Sequence, residues 1–263
     1  MTDYGHFLRF ESGSLVSISE SASEVQLDAA DSFLVEEGRV LDLQGHFERF
    51  SAWVANSSDT SAEQLSDFLA SVEESLPRTG RWFPRLEFHS EAPEDKRLYL
   101  RQRRAPEALS ESVLWTFPDP DPRLQPTVKG PELSLGMQHR RMAQMHGADE
   151  AVYLNSDGYV VEGALSSIVW WRGDVLCAPD NQTLWIDSIT RKNVFAIAEQ
   201  MGLKTRLEHS KPADLIDLEV WSLGSLHGIR SVTNWVGLGA PVAKPKHIEA
   251  FQKRMRLLTK NLG

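Results

Sequence analysis

Two tight hairpins written back to back constrain this chain more than any other stretch. AVYL (151–154) and YVVE (159–162) flank the turn residues NSDG, and SIVWW (167–171) and VLCA (175–178) flank RGD. The arms are rich in β-branched and aromatic residues, and each connection holds the Gly, Asp or Asn that a tight turn needs. Hairpin partners run antiparallel, so a regular βαβ repeat is excluded through this region.

Helical patterns surround the hairpins. Leu65, Phe68, Leu69 and Val72 recur at helical spacing within residues 61–76, and Pro77 closes the run. GHFERFSAWV predicts a helix from Gly45. A further helix is expected from near Pro131 to a stop at Gly147, and another between an N-cap at Ser188 and a stop at Gly202. Residues 246–262 read as a terminal helix. Strands are expected in 1–18, in a hairpin over 33–43 turned at Glu37-Gly38, around WFPRLEF and LYLRQ, and at EVWSL (219–223).

TFPDPDPRLQP (116–126) carries four prolines and reads as a linker. The expected fold class is therefore α+β with two domains. A small antiparallel-sheet N-terminal domain would span 1–115, and a larger C-terminal pseudo-barrel with outer helices 127–263. No internal repeat is visible.

Composition narrows the function. A chain of 263 residues with 41% hydrophobic content can bury a sizeable core. A net charge of −9 argues against a nucleic-acid partner, because phosphate binding needs a basic face. No apolar run approaches the roughly 20 residues that span a bilayer. MTDYGHFLRFESGS has no basic region followed by an apolar stretch, so no secretory signal is expected. Cys177 is the single cysteine, which excludes an internal disulfide and suits a reducing cytoplasm. The histidines are scattered without metal-ligand spacing, so no metal site is expected. Dinucleotide, Walker-type and Gly-x-Ser-x-Gly motifs are absent.

What remains is a lysine and a glutamate. Lys129 and Glu162 bracket VKGPELSLGMQHRRMAQMHGADEAVYLNSDGYVVEG. An amine that forms an imine and a carboxylate that keeps a ring nitrogen protonated are what pyridoxal phosphate needs from a protein. Taken singly, Lys129 and Glu162 are ordinary surface residues, Arg49 an ordinary helix residue, and Ser188-Ile189-Thr190 an ordinary helix cap. Their joint order resembles the class IV aminotransferase family, the fold-type IV pyridoxal-phosphate enzymes, over roughly residues 30–235. That family includes branched-chain and D-amino-acid aminotransferases and 4-amino-4-deoxychorismate lyase.

HFERFSAW is similar to the family's His-x-x-Arg segment, which implies that Arg49 holds the cofactor phosphate. VKG implies Lys129 as the Schiff-base lysine. GADEAVYLNSDGYVVEGALSS implies Glu162 at the pyridine nitrogen. SITRKNVFAIAEQMG implies that the Ile189 and Thr190 amides bind phosphate at a helix start. SLGSLHGIRSV implies a second phosphate contact at Ser225, and looks closest to the lyase branch. The resemblance also implies a cofactor cleft between two domains and a homodimer.

The chain departs from the family in three places. Asp31-Ser32-Phe33-Leu34-Val35 replaces a Phe-Glu segment, Ser167 stands where the family has Asn, and Ser188 where it has Gly. Arg101 and Arg103, with Arg104, either bind a substrate carboxylate or form a solvated basic edge strand. His227 and Arg230 flank the Ser225 segment and are further substrate-binding candidates. The expected function is a pyridoxal-phosphate-dependent aminotransferase acting at the Cα of a small amino substrate. Alternatives are 4-amino-4-deoxychorismate lyase, which eliminates pyruvate to leave 4-aminobenzoate, and a cofactor-binding protein without turnover.

Overall fold

A computed structural model of the protein describes residues 5–19, 26–58, 60–180, 182, 184–238, 243 and 245–263. The chain divides into two compact units. Unit 1 comprises 1–107, 128–131 and 258–263; unit 2 comprises 108–127 and 132–257.

Unit 1 contains β1 (Phe7–Glu11), β2 (Ser14–Ser17), β3 (Ala29–Ser32), β4 (Val35–Glu36), β5 (Arg39–Leu41), α1 (Leu43–Ser57), α2 (Ala62–Ser75), β6 (Arg81–Trp82), β7 (Arg85–Phe88), β8 (Leu98–Arg101) and β17 (Thr259–Asn261). Five of the strands form one sheet in the order β2-β1-β8-β7-β3, and four form a second in the order β17-β5-β4-β6. All pairs in both sheets are antiparallel. Register sorts the larger sheet into two faces. Leu8, Leu100, Leu86 and Asp31 lie side by side on one face, while Phe7, Arg101, Arg85 and Ser32 share the other. The first face is apolar apart from Asp31, and Leu86 and Leu100 join Phe33, Phe50, Phe68 and Val72 in the core.

Local chemistry sets the helices. The Asp42 side chain caps α1 by accepting from the Gly45 amide at 3.2 Å. A Cβ at Gly45 would lie 2.6 Å from that carboxylate, so the turn demands glycine. Ser61 caps α2 by accepting from Gln64 at 3.1 Å.

Unit 2 contains β9 (Glu111–Pro120), α3 (Leu133–Met145), β10 (Glu150–Leu154), β11 (Val160–Gly163), β12 (Ser167–Arg172), β13 (Val175–Pro179), α4 (Ile189–Gln200), β14 (Lys204–Glu208), β15 (Val220–Gly224), β16 (Gly228–Val236) and α5 (Ile248–Leu258). Its eight-stranded sheet has the order β11-β10-β9-β16-β15-β12-β13-β14. β9 runs parallel to β10 and β16, and β13 parallel to β14; the other pairs are antiparallel. β11 contacts β13 although far from it in sheet order, so the sheet curls into a half-barrel. Leu114, Val152, Ile168, Trp170, Val232 and Trp235 belong to its buried core. This is the α+β class with a pseudo-barrel that the sequence predicts. Both hairpins of the 151–178 segment form as expected.

The interdomain segments differ from expectation. Residues 116–120 of the expected linker belong to β9. Pro118 falls in the register shift between β9 and β10, where a missing N–H leaves no ladder bond unmade. The segment 128–131 groups with unit 1 instead of the C-terminal part of the chain. There the Ala30 amide donates to the Lys129 carbonyl at 2.6 Å, extending the edge strand β3. A Cβ on Gly130 would lie 2.7 Å from the Ala29 Cα, so only glycine permits this approach. The terminal helix is shorter than predicted, because 259–261 leave it to pair with β5 as β17. Among the described residues no helix is long and apolar enough to cross a membrane.

Phe68 is fully buried, with ring centroids 5.7 Å from Phe10 and 6.2 Å from Phe50. Phe68→Ala is expected to destabilise the protein by about 3 to 5 kcal/mol, measured as a lowered urea midpoint with unchanged far-UV circular dichroism in buffer.

Candidate active site

In unit 1 the chemistry gathers around Asp31 and Lys129. Register turns Asp31 toward α1, where it is fully buried. Arg49 donates Nε to Oδ2 at 2.7 Å and Nη2 to Oδ1 at 2.8 Å. His46, one turn earlier on α1, donates Nδ1–H to Oδ1 at 2.7 Å. Burial alone would raise Asp31, but His46 and Arg49 outweigh it and hold the carboxyl far below the usual range. Burial also pushes His46 down, which leaves it a neutral donor. Arg49 is thus oriented by a buried carboxylate, and the Asp31 that stands in place of the family's Phe-Glu region does the orienting.

The Lys129 amine lies in the field of the same group. Burial pushes it down to about 8; Asp31 opposes that shift, and Arg49, Arg103 and Arg85 reinforce it. More neutral amine is therefore present near neutral pH than on an ordinary lysine, as a nucleophile requires.

Two arginines share the other face of the five-stranded sheet, and a third follows just beyond β8. Arg85 and Arg101 stand directly opposite each other. Arg103 follows two positions on, with its carbonyl accepting from the Phe83 amide at 2.7 Å. Glu87 bridges the first two, 2.5 Å from Arg85 and 2.9 Å from Arg101. Burial works to raise Glu87, but His89, Arg85 and Arg101 hold it near 2. The charge of Glu87 also supports Arg103, which burial and the neighbouring Arg85 push down to about 10. Like charges placed opposite on paired strands are unfavourable. The arrangement carries excess positive charge that an anion would relieve.

In unit 2 the chemistry gathers around Glu162. It sits on β11 opposite Tyr153 of β10 and is buried. Its Oε1 accepts from Arg123 Nη1 at 2.6 Å and from the Ile186 amide at 3.2 Å. Burial pushes Glu162 up to about 7 in spite of Arg123.

Three residues after Ile186, α4 begins. Ser188 Oγ accepts from the Arg191 amide at 3.3 Å. The preceding amides, on Ile189 and Thr190, have no acceptor among the described residues, and both residues are 2% exposed. Two unpaired N–H groups at the positive end of a helix form an anion cradle. Arg191 lies over the Trp185 ring at 3.2 Å and adds positive charge near Glu162.

The remaining candidates are more dispersed. Ser167 opens β12 opposite Leu223 and is buried. Ser225 and His227 lie in the turn between β15 and β16, and His227 Nδ1 accepts from the Leu109 amide at 3.3 Å. Arg230 is committed elsewhere: its Nη2 donates to Ser222 at 3.0 Å, and it lies 3.8 Å from Glu150.

Within unit 1 the structure therefore brings Lys129, Arg49 and Arg103 into one electrostatic group, with Arg101 joined through Glu87. Within unit 2 it links Glu162 to the approach of the Ile189–Thr190 cradle. Sequence reading missed Asp31, Arg85 and Arg123. The alternation Asp119-x-Asp121-x-Arg123 was the one available signal for the last, hidden among prolines.

Taken separately, unit 1 holds an amine whose proton affinity is lowered, and unit 2 holds a pair of helix-start amides suited to an anion and a buried carboxylate. Known proteins point the same way. The family model "Amino-transferase class IV" matches residues 28–235. An aminodeoxychorismate lyase of Bacillus subtilis is 30% identical over 78 residues, 29% of this chain and 27% of that protein. The chain thus matches about a quarter of the length of that curated relative. The branched-chain amino acid aminotransferase of Escherichia coli shares the fold with a TM-score of 0.80 at 14% identity, over 97% of this chain and 94% of its own. A hypothetical aminotransferase from Mycobacterium tuberculosis, solved with PLP bound, has a TM-score of 0.78 at 17% identity, over 96% and 98% of the two chains.

Lys129 binds fewer protons folded than unfolded between about 8 and 10.5, so the penalty of its burial is full below that window, fades through it and is gone above it. Lys129→Met is expected to be more stable than the parent at pH 7. The gain should shrink as pH rises toward 10.5, as read from urea midpoints across pH.

Proposed function

This chain belongs to the class IV aminotransferase family, and we propose that it is a pyridoxal-phosphate-dependent enzyme acting at the Cα of an amino substrate, with amino-group transfer as its reaction. Pyridoxal phosphate, when bound, supplies an electron sink for negative charge developing at Cα. Lys129 would hold the cofactor, and its amine would move the Cα proton as base and then acid. Glu162 keeps the ring nitrogen protonated. Arg49, the amides of Ile189 and Thr190, and the hydroxyl of Ser225 bind the phosphate, and Ser167 supports the site beside Glu162. Arg101 and Arg103 bind a substrate carboxylate, with His227 and Arg230 as further candidates; the buried Arg230 Nη1 has no partner among the described residues.

The observation that carries this reading is the family match over residues 28–235, beside which Lys129 is fastened to β3 through the Ala30 amide and its amine is pushed down by burial. A second reading has its own support. The similarity to an aminodeoxychorismate lyase and the Arg85–Arg101–Arg103 cluster favour pyruvate elimination that leaves 4-aminobenzoate. Both products carry a carboxylate, so the substrate carries two, and the cluster has charge for them. The enzyme would work as a cytoplasmic homodimer, as the family resemblance implies.

Borohydride reduction of protein incubated with pyridoxal phosphate is expected to fix the cofactor on the Lys129 peptide, and Lys129→Ala to abolish the adduct and turnover. An adduct on another lysine, with activity retained in the alanine variant, would contradict the assignment. Glu162→Gln should retain the cofactor and slow Cα proton removal at least tenfold in single turnovers, a barrier increase of about 1.4 kcal/mol. Product assays separate the two reactions. Transfer needs a 2-oxo acid acceptor, whereas elimination releases pyruvate without one.

A further inference from the structure

Arg123 lies in the stretch that reads from sequence as a linker, yet it is held as firmly as any core residue. Its side chain is 6% exposed. Asp121 grips it with both oxygens, Nε to Oδ1 at 2.9 Å and Nη2 to Oδ2 at 2.6 Å. The guanidinium lies over the Tyr153 ring at 4.8 Å, and the Tyr153 hydroxyl pairs with His139 Nδ1 at 2.9 Å. The backbone around it is tied at both ends. Asp121 donates its amide to the Leu154 carbonyl at 2.8 Å. The Leu124 and Gln125 amides donate to the Glu132 carboxylate at 2.7 and 2.9 Å. What this scaffold presents is Nη1, which meets Glu162 Oε1 at 2.6 Å.

The geometry at Glu162 is asymmetric. Both of its hydrogen bonds, from Arg123 and from the Ile186 amide, fall on Oε1. Oε2 takes none among the described residues. We propose that Arg123 is the positioning residue of Glu162: it fixes Oε1, favours the ionised carboxylate against burial, and reserves Oε2 for the ring N–H of a bound cofactor. The last clause rests on the pyridoxal-phosphate reading; the first two concern the protein alone.

The physical need is plain. A carboxylate buried as deeply as Glu162 is driven toward its neutral form, and a neutral acid cannot hold a ring nitrogen protonated. A cation at hydrogen-bond distance opposes that drive. Asp121 keeps the arginine from being an unpaired buried charge and directs its fork. Glu162 and Tyr153 are Cα partners on adjacent strands, so Arg123 meets both through one placement. Arginine is required because the fork must engage Asp121 and Glu162 through different nitrogens, which a lysine does less well.

The test begins with cofactor-free protein. The Glu162 carboxyl is followed by carbon-13 NMR in glutamate-labelled protein, its resonance assigned by loss in Glu162→Gln. The native midpoint is expected near 7. Arg123→Met should raise it by at least about one pH unit, a tenfold gain in proton affinity. Arg123→Lys should fall between the two, and circular dichroism confirms that each variant is folded. An unchanged or lowered midpoint in folded Arg123→Met overturns the proposal. Protein loaded with ring-nitrogen-15-labelled pyridoxal phosphate is then compared at pH 8. The ring nitrogen should be protonated in the parent and largely deprotonated in Arg123→Met; protonation in both overturns the role toward the ring. Failure of the parent to take up cofactor would defeat the function proposed above, while the cofactor-free titration would still decide whether Arg123 governs Glu162.

Discussion

Asp31 lies beneath α1 without solvent exposure, and two donors close on it from one helical turn. The carboxylate stays ionised because Arg49 and His46 supply what water would have supplied. That arrangement fixes the direction of Arg49, ties α1 to β3, and sets a negative charge within reach of Lys129. Removing Asp31 would leave a buried guanidinium without its counterion, which is costlier than never having built the pair. Much of unit 1 is organised around this one neutralised charge, and the electrostatics of its lysine follow from it.

Unit 2 solves the opposite problem in the same way. Glu162 is a carboxylate pushed toward neutrality by burial, held back by one arginine that has its own counterion in Asp121. Unit 1 thus holds an amine made more neutral by burial and arginines, and unit 2 an acid kept more ionised by one arginine. For chemistry at the carbon next to an amine these are the useful directions, since the base must accept a proton and the ring must draw electrons.

Much of the fold was legible because the signals are local. Hairpins with Asp-Gly or Gly-Asp turns, the Ser188 cap and the helical spacing within 61–76 depend on neighbours in sequence, and all formed. Lys129, Glu162 and Ile189–Thr190 stood out in the sequence because spaced motifs carry them. Asp31, Arg85 and Arg123 did not, because their meaning comes from register and tertiary contact. Arg85 matters by standing opposite Arg101 across a strand pair. Arg123 was misplaced for a simpler reason: proline-rich sequence reads as loop, yet β9 runs into it through a bulge that accommodates Pro118. The conversion of residues 259–261 from helix to edge strand was also invisible, since it depends on the distant β5.

The central claim is that Lys129 and Glu162 act on one pyridoxal phosphate. A crystal structure of the protein grown with the cofactor tests it most directly. The account predicts continuous density from the Lys129 Nζ to the cofactor, the ring nitrogen at hydrogen-bond distance from Glu162 Oε2, and the phosphate on the Ile189 and Thr190 amides. Cofactor bound elsewhere, or with its ring nitrogen turned away from Glu162, would contradict it.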